Sequence, residues 1–258
     1  FKWPVWVPTK THRSYHNMMS DANHLIQKCV EDRKLLNKPV GDLLDVLMDH
    51  YHPDKEFVEI RNQLLTFLVA GHETSAIAMT WTLHVLAHHP AIQEKLYQEV
   101  KDLKSLEDLD LMNYSNLTYT QKVIKESLRF YPPIWNIVRL VKESDNIGGV
   151  NIPAGKQVML NIHLMHHNPA YWPNPDTFDP ERFTDYSQLK HKLQYLPFGG
   201  GGRFCIGNNF ALYELMILTV QFVRKFKILP KSPEKVDFNP LLTLRPKDAV
   251  EVQLIERN

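Results

Sequence analysis

Cysteine is scarce in this chain: 258 residues carry two, Cys29 and Cys205. Two thiols cannot build a multi-disulfide scaffold or an all-cysteine metal site, and a reducing compartment is the expectation. Excess charge is lacking as well, with 30 lysines and arginines against 29 aspartates and glutamates, a net of +1. So balanced a chain has no bulk field with which to hold a nucleic acid. Long apolar runs are missing too. The nearest, Leu64–Ala70 and Phe210–Val223, fall short of the roughly 18 apolar residues that suggest a membrane span, and Glu214 interrupts the second. The opening Phe1–Lys10 has no basic start, apolar middle or cleavage site of a secretory signal. It reads as a chain entered in mid-fold. A longer protein is therefore expected, with any membrane anchor outside these residues and a location in the cytoplasm or on the cytoplasmic face of a membrane.

What is present is ordinary globular material, 43% apolar and 23% charged, with enough residues for one large core. The first half has helical spacing. Helices are expected over His12–Asn37, Asp42–His50, a long stretch from Pro53-Asp54 to His88, Ala91–Leu103 and Thr118–Phe130, the last stopped by Pro132-Pro133. The second half changes to short extended runs, Ile137–Val141, Asn151–Ile152 and Gln157–Leu160, cut by Gly148-Gly149 and Pro153-Ala154-Gly155 turns. An irregular, proline-rich stretch, Asn168–Pro197, follows; a connection of that length within a domain is normally functional. Ile206–Arg224 is helical and apolar nearly all round, so burial on both sides is expected. Strands over Leu241–Leu244 and Val250–Ile255 close the chain. The class is mainly α with a small β portion, and residues 1–258 are read as a single partial domain.

The informative segment is Phe198-Gly-Gly-Gly-Gly-Arg-Phe-Cys205-Ile-Gly207, just before that apolar helix. Consecutive glycines let a flat partner approach the backbone. A cysteine at a helix N-terminus meets free N–H groups and the positive end of the dipole, which favour a thiolate. Arg203 carries a planar fork suited to a carboxylate. A phosphate cradle is a poor alternative because no Gly-Lys-Ser/Thr follows. An inert buried Cys205 remains open on these residues alone.

Phe198-x-x-Gly201-x-Arg203-x-Cys205-x-Gly207 resembles, at every defined position, the haem-binding signature of the cytochrome P450 family. The resemblance implies that Cys205 binds the iron of haem b (iron protoporphyrin IX) as a thiolate, which favours O–O cleavage. It implies a P450-like fold and a monooxygenase that hydroxylates a small apolar substrate. Dioxygen and two electrons, from a flavoprotein reductase or a ferredoxin, would complete the reaction. Other segments agree. Within Ala70-Gly71-His72-Glu73-Thr74, a mid-helix glycine costs about 1 kcal/mol against alanine, and a hydroxyl beside it can open the helix locally. Thr74 resembles the family's threonine that steadies bound oxygen, and Glu73 its acidic neighbour in proton delivery. Position 76 is alanine, so His72-Glu73 is no zinc-protease motif. Glu126 and Arg129 share a helix face at i, i+3, with Glu126 among Tyr119, Val123 and Phe130. They match the family's Glu-x-x-Arg, and Arg182 in Pro180-Glu181-Arg182-Phe183 matches its third member. This triad is expected to pin the Cys205 loop, with Lys122 as a rival partner for Glu126.

The resemblance also assigns Arg139 to a haem propionate beside Arg203, and Phe198, Ala70 and Gly71 to the cofactor surface. Val69, Ile134, Ile137 and Val138 are expected near substrate, although an apolar stripe is more often plain core. Lys190, Lys192, Lys122 and Lys125 form a candidate docking face for an acidic electron donor. His84, His88 and His89, like His163, His166 and His167, have spacing that would allow a metal; a helix C-terminus favours histidines anyway. A haem-thiolate isomerase or peroxygenase is a second reading, though Glu73-Thr74 argues against it, and a non-catalytic fragment of the fold is a third. The helices that precede this region in the family have no counterpart here.

Overall fold

A computed structural model describes residues 7, 9–36, 38–103, 116–185 and 193–257. The chain divides into two compact units, residues 1–70 and 71–258, and the division falls inside one helix.

The first unit comprises α1 (Lys10–Leu35), α2 (Leu43–His50) and the start of α3 (Phe57–His88). Thr9 caps α1, accepting from the His12 N–H. Its small core joins Ile26 and Val30 of α1 to Leu47 of α2 and Ile60 of α3. Asp42 caps α2 through the Asp45 N–H at 3.2 Å, and Arg33 binds both carboxylates.

The second unit holds the rest of α3, α4 (Pro90–Val100), α5 (Thr118–Phe130), a one-turn α6 (Ile162–His166) and α7 (Asn208–Lys225). One core ties them together: Ala78, Met79 and Leu86 of α3, Leu96 and Val100 of α4, Val123 and Leu128 of α5, Leu215, Val220 and Val223 of α7. Each of the larger side chains among them contributes about 1.5–3 kcal/mol of burial. Among the described residues the strands are β1 (Asn136–Leu140), β2 (Asp145–Ile147), β3 (Val150–Ile152), β4 (Gln157–Asn161), β5 (Phe226–Pro230), β6 (Phe238–Pro240), β7 (Leu244–Pro246) and β8 (Val252–Glu256). They form four antiparallel pairs: β1–β4, β2–β3, β5–β8 and β6–β7. The β2–β3 turn is Gly148-Gly149, both at positive φ, as a two-residue hairpin requires.

Mainly α with little β is the architecture found. Four expectations change in detail. Helix α7 begins at Asn208 rather than Ile206, and its first turn is not covered: Phe210 is 71% exposed. A strand was expected over Leu241–Leu244, but Leu241–Thr243 form the β6–β7 turn and only Leu244 is extended, because pairing with β6 starts there. The extended run expected at Gln157–Leu160 passes directly into α6, capped by Asn161. Helix α3 continues through Ala70–Thr74 without interruption, so the local opening expected there is not seen.

Candidate functional site

The cysteine loop is closed by its own backbone. The Gly199 N–H donates to Leu196 O and the Phe204 N–H to Gly201 O, each at 3.1 Å, with a 3-10 turn over Gly201–Arg203. The Cys205 N–H then donates to Phe198 O, also at 3.1 Å. Gly199 and Gly201 have φ of +73° and +70°, a region that side chains with Cβ rarely adopt. Cys205 therefore sits at the exit of a tight loop, two residues before Gly207, the N-cap of α7. The thiol is exposed, in a run of exposed apolar residues: Phe204 at 50%, Ile206 at 85% and Phe210 at 71%. Phe198 packs on the core beneath.

A hydrogen-bond chain leads from this loop into α5. Glu126 and Arg129 are fully buried. Arg129 Nε donates to Glu126 Oε2 at 2.7 Å and Nη2 to Oε1 at 2.9 Å, a bidentate pair. The Asp179 N–H adds a bond of 2.9 Å to Oε1, and Arg182 Nε lies 3.3 Å from the same oxygen as an ion pair without hydrogen-bond alignment. Burial pushes the Glu126 carboxyl up, against the opposing pull of Arg129, Asp179 and Arg182. All of these neighbours are donors, so the ionised form is the one the cluster holds. Arg182 also donates to Pro173 O, Asn174 O and Thr177 O, gathering the irregular stretch. The triad residues thus come together. The rival does not join them: Lys122 pairs with Glu181 at 3.0 Å.

Sequence reasoning missed the next link. Arg129 Nη1 donates to His166 O at 2.7 Å, His166 Nδ1 lies 3.2 Å from Arg129 O, and His166 Nε2 accepts the Leu196 N–H at 2.9 Å. Leu196 is the residue that closes the loop onto Gly199. His166 is completely buried and stacks on Tyr195, whose hydroxyl donates to Lys125 O. Burial pushes its pKa down to about 3.

On α3, Glu73 faces the C-terminal hairpin. Its Oε1 accepts from Thr243 Oγ1 at 2.5 Å and from Arg245 Nη2 at 2.6 Å. These bonds hold the Glu73 carboxyl below the ordinary carboxylate range. Thr74 is half-buried in the next position. No local sequence signal pointed to Thr243 or Arg245.

Arg139 and Arg203 are exposed and belong to no ion pair among the described residues. A Cβ built on Gly199 would stand 3.4 Å from Ile137 Cδ1, so β1 lies against the loop. Alternation puts Arg139 on the face of Ile137 and Val138 on the other. The two apolar residues expected near substrate therefore do not share a face. Ile134 is half-buried; Val69 and Ala70, in the first unit, are exposed. The expected docking face is not assembled as drawn. Lys190 and Lys192 lie outside the described residues, Lys122 is held by Glu181, and burial lowers the pKa of Lys125. Among the described residues no group of three histidines, cysteines or carboxylates could hold a metal ion. His84 bonds Glu234 O, His89 bonds Val85 O and His167 bonds His163 O instead.

A family model described as Cytochrome P450 matches residues 1–252. The chain belongs to the cytochrome P450 family. It is 31% identical over 229 residues to cyclooctat-9-en-7-ol 5-monooxygenase of Streptomyces melanosporofaciens, covering 87% of this chain and 50% of that protein. Cytochrome P450 4A10 of Rattus norvegicus is 36% identical over 237 residues, 89% of this chain and 46% of its own length. A crystal structure of a cytochrome P450 (CYP102L1) superposes with a TM-score of 0.86 at 29% identity, covering 98% of this chain and 59% of that one. This P450 chain spans about half the length of the curated relatives it matches. Haem is the cofactor the family implies, and the residues here fit it. An exposed thiol at a helix start, an apolar collar, two arginines without carboxylates, and open space beside Gly71, Gly201 and Gly202 suit a flat apolar group bearing anionic arms. Among the described residues no helix is long and apolar enough to cross a membrane.

Proposed function

We propose that this chain is the haem-binding part of a monooxygenase that hydroxylates an apolar organic substrate, using dioxygen and two electrons from a flavoprotein reductase or a ferredoxin. One observation carries the reading. Cys205 stands exposed at the mouth of α7, on a loop hydrogen-bonded through Leu196 and His166 to the buried Arg129. In this proposal the haem is haem b. Cys205 supplies the thiolate, Arg203 and Arg139 bind the propionates, and Phe198, Ala70 and Gly71 border the ring. When bound, haem supplies dioxygen activation, and a thiolate ligand favours O–O cleavage.

The protein groups supply positioning and protons. Glu126, Arg129 and Arg182 fix the irregular stretch and, through His166, the height of the Cys205 loop. Thr74 and Glu73 form the proton path, and Val69, Ile134, Ile137 and Val138 border substrate. Both compact units belong to one partial domain in this reading. The name of the Streptomyces relative supports an apolar, alcohol-bearing carbon skeleton as the substrate class. The location proposed is the cytoplasm or the cytoplasmic face of a membrane.

Haem-loaded, reduced protein exposed to carbon monoxide tests the ligand assignment. A thiolate-type Soret band that Cys205→Ala abolishes is expected; unchanged haem content and spectrum in that variant would overturn it. Product formation needing both dioxygen and reductant is expected next. Turnover with peroxide alone would point to a peroxygenase, and a chain that takes up no haem to a non-catalytic fragment.

A further inference from the structure

The end of α7 remote from Cys205 borders a groove that the proposed reaction does not use. It holds about 550 Å³ and lies where the last turns of α4 and α7 meet the first residue of β5. Sites for small molecules have this size. A helix of 18 residues is about 27 Å long, which sets the groove well apart from the cysteine loop.

Three half-buried aromatic rings line the groove: Tyr97, Phe222 and Phe226. Tyr97 and Phe222 pack on the core of the second unit, and the Phe222 and Phe226 rings stand 6.4 Å apart, tilted by 45°. The Arg257 guanidinium lies 3.9 Å from the Tyr97 ring centroid and is held in turn by Glu94. The rings are therefore ordered by the protein itself, which lowers the entropy cost of binding against them.

The polar part of the lining is cationic. Lys101, Arg224 and Lys225 border the groove, and among the described residues no carboxylate lines it. Arg224 Nη2 donates to Leu103 O at 2.5 Å, a bond to a carbonyl that leaves the charge uncompensated. Lys225 Nζ lies 4.0 Å from Glu256 Oε1, but those side chains are 64% and 73% exposed, so water screens the pair. Lys101 is exposed and pairs with no carboxylate among the described residues.

Cations at a helix C-terminus favour its dipole, and that accounts for Arg224 and Lys225 on α7. It does not account for ordered rings facing a hollow between them. The two helix ends bring only about half a negative charge each. With Glu256 counted as well, the balance of charge at the groove stays positive.

We infer that this groove binds a small aromatic anion, an aryl carboxylate or aryl phosphate, with its ring against Tyr97, Phe222 and Phe226 and its charge toward Lys101 and Lys225. Ring and charge are both required. Stacked and edge-on ring contacts are worth about as much as one screened surface charge, so neither part alone holds a ligand of this size.

The test titrates the haem-loaded full chain with para-fluorobenzoate, observed by fluorine NMR, while the haem absorption spectrum is recorded. Saturable broadening with an unmoved haem spectrum is expected. Lys101→Glu and Lys225→Glu, both at exposed positions, should each weaken binding about tenfold and leave the thermal midpoint unchanged. Neutral para-fluorobenzamide should bind far more weakly, and cyclohexane carboxylate, an anion without a π face, should displace the probe poorly. No saturable binding overturns the site. So does binding that both charge reversals leave unchanged, since the probe would then sit elsewhere; a shifted haem spectrum would place it beside Cys205. Equal affinity for the amide removes the role of the cations, and equal displacement by the cyclohexane acid removes that of the rings; either result overturns the inference.

Discussion

The Leu196 N–H donates to His166 Nε2 at 2.9 Å, and that one bond fixes the protonation of the ring. Since Nε2 accepts, the proton of the neutral imidazole must sit on Nδ1, which lies 3.2 Å from Arg129 O and can donate to it. A doubly protonated ring would offer Leu196 a second donor and lose the bond. His166 is thus a neutral bridge between the charged cluster on α5 and the loop that carries Cys205.

His166→Ala is expected to leave Leu196 N–H and Arg129 O unsatisfied in a buried site. Each such group costs about 1–3 kcal/mol. Urea denaturation should show a loss of that order, and the variant should hold less haem at a fixed haem concentration. Unchanged stability and haem content would remove His166 from the support of the loop.

Acid should destabilise the second unit earlier than carboxylates alone would allow. Burial lowers His166 to about 3 and His163 to about 4, against about 6.5 for an unfolded histidine. The unfolded chain therefore binds more protons between those values and pH 6.5, so stability falls as pH drops through this window. The slope is about 1.4 kcal/mol per pH unit for each fully neutral buried histidine. Denaturation midpoints at pH 7, 6 and 5 measure it. His163→Phe, which keeps a ring against Phe238 and His167, should flatten the dependence. A flat parent profile above pH 5 contradicts the assignment.

Glu126→Gln should be far more damaging than any change in the neighbouring surface cluster. It leaves the Arg129 guanidinium buried without its counter-charge, which costs about 3–5 kcal/mol. Glu181→Ala removes an exposed hub bound to Lys95 and Lys122 and should cost under about 1 kcal/mol. Chemical denaturation of both variants gives the comparison; similar losses would mean the buried pair has no special weight.

Two glycines in the loop should respond differently to alanine. Gly199 has φ +73° and its Cβ would make only an ordinary contact with Ile137, so the left-handed backbone sets a cost of about 1–2 kcal/mol. Gly202 is not at positive φ and has open space around its Cβ, so Gly202→Ala should be close to neutral. Thermal midpoints should separate the two by several degrees. Equal midpoints would mean the loop relaxes around Gly199.

Much of the fold was legible because its signals are local. Helical spacing located α3, α4 and α5, proline marked the ends of α3 and α5 and the start of α4, and Gly148-Gly149 marked a hairpin. The missed pieces had weaker signals. α6 is one turn long, and β5 follows α7 with no break residue between Lys225 and Phe226. The turn at Leu241–Thr243 holds two leucines and a β-branched threonine and lacks glycine, so it resembled a strand.

By itself the sequence determined which residue types the Cys205 loop carries and the i, i+3 pairing of Glu126 with Arg129. Those depend on covalent spacing and helical pitch, which adjacent residues set. Only the tertiary structure decided that Glu73 meets Arg245, that Lys122 prefers Glu181 to Glu126, and that His166 bridges Arg129 to Leu196. Each of these joins groups from separate elements. A charged or hydrogen-bonding side chain takes whichever partner packing brings within about 3 Å, and residue order does not state that distance.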